Sequence, residues 1–206
     1  MSVINKDYIR DVINFSAHWA ASHGSDEAEY MGAGMLYYSL VYMLRAKLCV
    51  CLGSGGGFVP RIMRQAQRDL GLPRARTILV DANQGDWGRP QWLDGDSFFR
   101  STFPDVEIIL GRTVDVAERY AGEWKIDYLH IDADHSHEAS LRDFQAYKSL
   151  MADDGVITFH DTYGEIPCVK TLDDVRAEGH DVVDFPKIGG GFAMIRLRPQ
   201  PKSSDA

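Results

Sequence analysis

The chain has 206 residues, 45% hydrophobic and 25% charged, which suits one α/β domain with room for a small cap and a substantial buried core. A net charge of −8 excludes a nucleic-acid binder held by clustered Lys and Arg on phosphates. Its three cysteines, Cys49, Cys51 and Cys168, form neither a disulfide framework nor a zinc spacing, so buried free thiols in a reducing compartment are expected.

The first residues, "MSVINKDYIR", lack a basic start followed by an apolar core, so no signal peptide is read there. The most apolar segment, Met35 to Leu44, is about half the length a helix needs to span a bilayer. A soluble, cytoplasmic protein without a membrane partner follows. Residues 1–45 read as helical. Tyr8, Ile9, Val12, Ile13, Phe15 and Trp19 make one apolar face. After the polar break "SHGSDEAE" comes "MLYYSLVYMLRAK", apolar on most sides as a buried helix would be. These helices form a cap or a dimerisation segment.

From residue 46 strands and helices alternate. "KLCVCL" has the continuous apolar pattern of a central parallel strand. It ends in "GSGGG", and a helix follows with Pro60 in its first turn, Ile62, Ala66 and Leu70 on one face, and Gly71 as its stop. "TILVD" and "VEIILG" are the next strands, with "TVDVAERYA" a short helix after the latter. "IDYLHID" is the fourth strand, "EASLRDFQAYKSLM" a helix and "GVITFHD" the fifth strand. A helix near Pro167 to Glu178 precedes "HDVVDFP" and "FAMIRLR", which flank "KIGGG" as an antiparallel hairpin. The pattern predicts a Rossmann-like, doubly wound sheet, mostly parallel with a C-terminal antiparallel hairpin, over 46–198. Residues 199–206 read as a disordered tail.

"CLGSGGG" places Gly53, Gly55 and Gly57 between the first strand and the first helix of this alternation. Glycines there let the backbone turn sharply and let a ligand lie against it, near helix N-terminal amides. Asp81 ends the second strand, 24 residues beyond Gly57, where a carboxylate can accept both hydroxyls of a ribose; the alternative is a solvated loop charge.

"YLHIDADHSH" gathers titratable groups at the end of the fourth strand. Ligands of a parallel sheet sit beyond the strands' carboxyl ends, so Asp132 and Asp161 converge at one rim if the fourth and fifth strands are neighbours. His160 stands beside Asp161. Oxygen ligands suit Mg²⁺ or Ca²⁺, and a histidine among them widens the choice to Mn²⁺, Fe²⁺ or Zn²⁺. His135, at the start of the following helix, is a candidate general base. Asp134 and Ser136 read as caps of that helix, His130 as a packed core histidine and His137 as part of an exposed turn. The plainer reading of the cluster is a polar rim without metal. Trp87 and Trp92 either line a substrate pocket or pin their loop, and Tyr163 and Glu165 lie near enough to Asp161 to reach a substrate.

The tight G-x-G-x-G resembles the first motif of class I S-adenosylmethionine-dependent methyltransferases, whose last two strands the C-terminal hairpin also resembles. The dinucleotide fingerprint fails, since Phe58 stands at its third glycine. Residues 126–162 are similar to the branch that includes metal-dependent sugar and macrolide O-methyltransferases and cephalosporin hydroxylase-like proteins. There "IDADHSH" and "HDT" stand for that branch's strand ends, with Ala133 replacing a glycine and "ADDG" its proline-containing turn. The resemblance implies a cofactor site of Gly53, Ser54, Gly55, Gly57, Asp81, Thr113 and Asp132 for S-adenosylmethionine. It also implies Asp132 and Asp161 as ligands of a divalent metal (Mg²⁺ or Mn²⁺), His160 as a further candidate ligand and His135 as the base. Cys51 stands where the family usually has an acidic residue, so Asp26, Glu27 and Glu29 are candidates for holding the cofactor's amino group.

The expected function is metal-assisted O-methylation of a small-molecule or sugar hydroxyl. Two alternatives remain: a glycosyltransferase using the Asp132-Ala133-Asp134 element, and a non-catalytic module retaining the fold. The expected partners are a small-molecule substrate and, through the apolar N-terminal helices, a second copy in a homodimer.

Overall fold

A computed structural model describes residues 7, 9, 10, 20–24, 30–83 and 90–198. The expectations for Tyr8, Val12, Ile13, Phe15, Trp19, the acidic stretch Asp26, Glu27 and Glu29, Trp87 and the tail from 199 lie outside the described residues.

Seven strands form one sheet: β1 (Leu48–Leu52), β2 (Arg76–Asp81), β3 (Val106–Leu110), β4 (Ile126–Ile131), β5 (Met151–His160), β6 (Asp181–Phe185) and β7 (Phe192–Arg196). Their spatial order is β3-β2-β1-β4-β5-β7-β6. The first five run parallel, while β7 lies antiparallel to both β5 and β6. The order reverses between β1 and β4, and a crevice at such a switch point is where an open α/β sheet binds its ligand.

The continuous apolar strands are buried on both faces because helices cover both. Helices α1 (Gly34–Leu44) and α2 (Phe58–Asp69) lie on one face. There Tyr37, Val41, Phe58, Ile62 and Ala66 pack with Cys49, Cys51, Leu79 and Tyr128. The short α3 (Phe98–Thr102) adds Phe99 to the same layer. The opposite face carries α4 (Thr113–Arg119), α5 (His137–Tyr147) and α6 (Cys168–Ala177). Val116, Phe144, Tyr147, Leu172 and Val175 pack there on Val50, Leu52, Ile78, Leu129, Ile157 and Phe159.

Two local expectations are corrected. Helix α2 buries more than the stripe of Ile62 and Ala66: Arg61, Arg64 and Gln67 are buried too, while Leu70 is only half-buried. Gln67 donates to the carbonyls of Ala46 and Arg76, and Arg64 reaches the Ala75 carbonyl and Asp105, so these polar groups are buried with partners. "ADDG" is not a free-standing turn. Strand β5 begins at Met151, and the β4 ladder steps from Ile126↔Met151 to Tyr128↔Val156, absorbing the extra residues as an irregularity. The inner side of helix α1 belongs to the core beneath β1, as its apolar sequence led one to expect of a buried helix. Among the described residues no helix is long and apolar enough to cross a membrane.

Candidate active site at the carboxyl end of the sheet

The β4–β5 register ends at Ile131↔Phe159, so Asp132 and His160 emerge side by side. The Asp132 amide donates to the Leu52 carbonyl (2.8 Å) and the Gly53 amide to the Val80 carbonyl (2.9 Å), which extends the ladder past the strand ends. Gly53 is required here. Its φ is +70°, and a Cβ at this position would lie 2.3 Å from the Asp132 carbonyl oxygen. The glycine loop and the acidic strand end thus touch through bare backbone.

A cleft of about 770 Å³ opens at this junction. That is the size of a pocket able to enclose a nucleoside-sized ligand. Of the expected cofactor residues, Gly53, Ser54, Gly55, Asp81, Thr113 and Asp132 line it. Gly57 does not. Its φ of +86° starts α2, and the space a side chain would need is filled by Phe99, 2.7 Å from the would-be Cβ. Asp81 sits half-buried at the wall and accepts the Asn83 amide (2.7 Å). Burial pushes its carboxyl up, against hydrogen bonds from the Asn83 and Ser54 backbone. The Ser54 hydroxyl is buried without a hydrogen-bond partner, an orphan polar atom of the kind a ligand satisfies. Trp92 both lines the cleft and pins its loop, with its indole N–H donating to the Gly55 carbonyl (2.8 Å). Tyr163 and Glu165 are exposed and stand outside the lining. Cys51 donates its thiol to the Gly53 carbonyl (3.0 Å) and remains a buried neutral group.

Deeper in the cleft, Asp132 is ringed by histidines. His135 Nε2 lies 3.1 Å from Asp161 Oδ2 and 3.4 Å from Asp132 Oδ1. His160 Nδ1 lies 3.3 Å from Asp132 Oδ1 and 3.4 Å from Asp161 Oδ2. His130 Nε2 and His23 Nε2 each stand 3.8 Å from Asp132 Oδ2. Asp161 turns in with a positive φ of 54°, a conformation Asp tolerates better than most residues. The expected convergence of Asp132, His135, His160 and Asp161 is therefore present. His130 is the packed histidine expected, its Nδ1 2.8 Å from Thr158 Oγ1, but its Nε2 is buried with no hydrogen bond and faces the same centre.

The charges organise the cluster. Burial would raise the Asp132 carboxyl, but the His160 charge and the imidazoles of His130, His135 and His160 around it hold it well below the usual range. Burial opposes charge on His160, yet the two carboxylates lift it to about 10. The bond to Asp132 raises His135 against a burial penalty. Burial lowers His130, against the pull of Asp132, and lowers His23, where the His160 charge adds to the effect. Two donor sets each converge to within 4.8 Å: His23, Asp132 and His160, and Asp132, His135 and Asp161. Bonds of about 2.1 Å to one ion span at most about 4.2 Å between opposite donors, so a cation fits with a contraction of about half an ångström. The donor chemistry and the orphaned His130 Nε2 both suit one.

Sequence reasoning missed His23, which lay inside a stretch taken only as a polar break. It also missed Arg112, Arg142 and Asp143, which line the cleft where Thr113 Oγ1 donates to Asp143. Burial lifts the Asp143 carboxyl to about 6, against that bond. The helical spacing of Asp143 gave no hint of burial. Asp134 accepts the Ser136 amide (2.8 Å), and Ser136 caps α5 by accepting from Ala139 (3.3 Å). Asp134 therefore belongs to the turn, and neither donor set includes it, which removes the paired carboxylates a glycosyltransferase reading needs. His137 is not exposed, as it pairs with Asp174 on α6.

A family model described as a methyltransferase domain matches residues 50–162. No curated protein matches the chain in sequence. Among solved structures, the O-methyltransferase from Bacillus cereus in complex with SAH is 16% identical, with a TM-score of 0.66 over 96% of this chain and 94% of that one. The O-methyltransferase TomG from Streptomyces achromogenes, involved in tomaymycin synthesis and solved with SAM, is 13% identical, with a TM-score of 0.66 over 91% and 90%. The SAH-bound methyltransferase PaMTH1 of Podospora anserina is 14% identical, with a TM-score of 0.63 over 92% and 88%.

Proposed function

The chain belongs to the methyltransferase-domain family, and on that premise we propose that it is an S-adenosylmethionine-dependent O-methyltransferase whose reaction on a small hydroxylated molecule is assisted by a divalent cation. One observation carries the reading. The carboxylates of Asp132 and Asp161 and the half-exposed imidazole of His135 meet at the wall of a cleft that the glycine loop and Asp81 also line. The working unit is taken as residues 46–198, with 1–45 an added segment whose His23 reaches the site.

Bound cofactor would supply an electrophilic methyl group on a sulfonium. Gly53 to Gly55 would let it lie against backbone, Asp81 would accept ribose hydroxyls, and Ser54 Oγ would gain the partner it lacks. A cation held by Asp132, Asp161 and His160 would supply positive charge beside the acceptor oxygen, making its hydroxyl easier to ionise. His135, 46% exposed while His160 is buried, is the imidazole a substrate can touch. Its Nε2 takes the hydroxyl proton as the oxygen–methyl bond forms and the sulfur–methyl bond breaks. Asp132 and Asp161 then stabilise the imidazolium. Much of the remaining gain comes from positioning, since the reacting groups are fixed at strand ends rather than on a free loop.

The test is thermal unfolding with and without S-adenosylmethionine, each in Mg²⁺, Mn²⁺ and chelator. A ligand at about a hundred times its dissociation constant adds roughly 2.7 kcal/mol. Stabilisation by the cofactor is expected, with a further metal-dependent rise that Asp161→Ala abolishes. Absence of any cofactor effect would sink the methyltransferase reading. A cofactor effect without a metal effect would remove only the cation.

A further inference from the structure

His23 comes from far outside the segment that carries the other cluster residues, yet its position is tightly specified. Its carbonyl accepts the Ala33 amide (2.8 Å), and the neighbouring Ser22 carbonyl accepts the Gly190 amide (2.9 Å) and faces His160 Nε2 (3.2 Å). A side chain on Gly32 would strike the His23 carbonyl oxygen at 2.3 Å, and one on Gly189 would strike Ser22 and His23 backbone at 2.7–2.9 Å. The backbone of 22–24 is thus wedged between two glycines, and the His23 ring lies 4.1 Å from that of His160.

The hydrogen bonds fix which nitrogens face the centre. The Ser22 carbonyl can only accept, so His160 Nε2 carries hydrogen and Nδ1 is the atom turned to Asp132 and Asp161. His23 Nδ1 is engaged with the Tyr37 hydroxyl (2.9 Å), which leaves Nε2 turned to Asp132. Both are the arrangement of a metal-ligating histidine, one nitrogen on the metal side and the other oriented by a partner behind it. The buried, unpartnered His130 Nε2 faces Asp132 from a third side.

We propose that His23 is a ligand of the cation site, so that the site is a two-histidine centre with carboxylates that selects a first-row transition ion over Mg²⁺. This rests on the metal-assisted reading above. Imidazole nitrogens suit Mn²⁺, Fe²⁺, Co²⁺ or Zn²⁺, whereas Mg²⁺ demands oxygen. The N-terminal segment is thereby part of the active centre and not merely a lid above it.

The experiment uses the full chain. Pulsed EPR of the Mn²⁺-loaded protein counts directly bound imidazole nitrogens, and competition titrations compare Mn²⁺, Co²⁺ and Zn²⁺ with Mg²⁺. His23→Asn keeps a side chain able to meet Tyr37 but removes the imidazole. We expect two nitrogen couplings in the wild type and one in His23→Asn. We also expect transition-ion affinity to fall by about tenfold or more in the variant, since even a partner behind a ligand is worth about 10–100-fold. Mg²⁺ affinity should fall much less than that of the transition ions. A single nitrogen in the wild type, or unchanged Mn²⁺ and Zn²⁺ affinity in the variant, overturns the role of His23. Cation binding lost in Asp161→Ala would then still stand for the metal-assisted reading. If no ion binds the wild type, both fall, and the cofactor shift alone decides the methyltransferase. Should His23→Asn not fold, the wild-type nitrogen count decides.

Discussion

Replacing Gly53 with alanine should damage this protein far more than its one added methyl suggests, and two other glycines separate the causes. Gly95 has an ordinary φ and nothing within 4 Å of a would-be Cβ. Gly95→Ala should therefore be neutral, or stabilising by about 0.4–1 kcal/mol through the unfolded chain. Gly71 is as open but has φ +64°, so Gly71→Ala isolates the left-handed backbone cost of about 1–2 kcal/mol. Gly53 adds contacts at 2.3 Å to the Asp132 carbonyl oxygen and 2.6 Å to the Ala133 Cα. Both are backbone atoms held in the β1–β4 junction and cannot rotate away. Gly53→Ala should cost more than Gly71→Ala by a further 1–3 kcal/mol, roughly the penalty for overpacking. Urea unfolding of the three variants measures each term, and cofactor titration should show lost affinity only for Gly53→Ala. If Gly53→Ala and Gly71→Ala cost the same, the close contact of loop and strand end is not what the glycine is for.

Asp143 gives a pH signature. Its carboxyl moves from 3.8 to about 6 on folding, so the folded chain holds the extra proton and stability falls as pH rises from about 4 to about 6. That displacement is worth on the order of 3 kcal/mol, so Asp143→Asn should gain on the wild type by that order between pH 4 and pH 8. A difference in urea unfolding that ignores pH refutes it. Ser136→Ala should cost about 1 kcal/mol by removing the cap of α5, and Ser136→Asp should restore most of it; equal midpoints for all three would deny the cap a role. Asp81→Asn should weaken S-adenosylmethionine binding by about 10–100-fold, the worth of a charged hydrogen bond, as read by calorimetry. Unchanged affinity would return Asp81 to a loop charge.

What the sequence revealed follows from how local its causes are. Continuous apolar strands, the glycine loop and the carboxylates at strand ends are written in consecutive residues. The parallel rule then carries Asp132 and Asp161 to one rim without knowledge of any contact. His23 obeys no such rule. It reaches the site because Gly32 and Gly189 leave room for its backbone, a matter of three distant segments meeting. Asp143 was hidden for a related reason, since its burial depends on Thr113 arriving from the β3 side. Gly57 shares the motif pattern of its neighbours, but its surroundings are the rings of Phe99 and Trp92 and it does not line the cleft.

The contact between the Ser22 carbonyl and His160 spans 138 positions of sequence. Closing so long a loop is unrewarded until β5 and β7 have paired, because Gly190 supplies the second hydrogen bond to the same oxygen. The placement of His23 beside His160 is therefore absent from any partly folded chain that still lacks its C-terminal hairpin. An ion or cofactor meets a complete site only once folding is nearly over. It should then slow unfolding while leaving the refolding rate alone, making the site a late latch on a sheet that assembles without it.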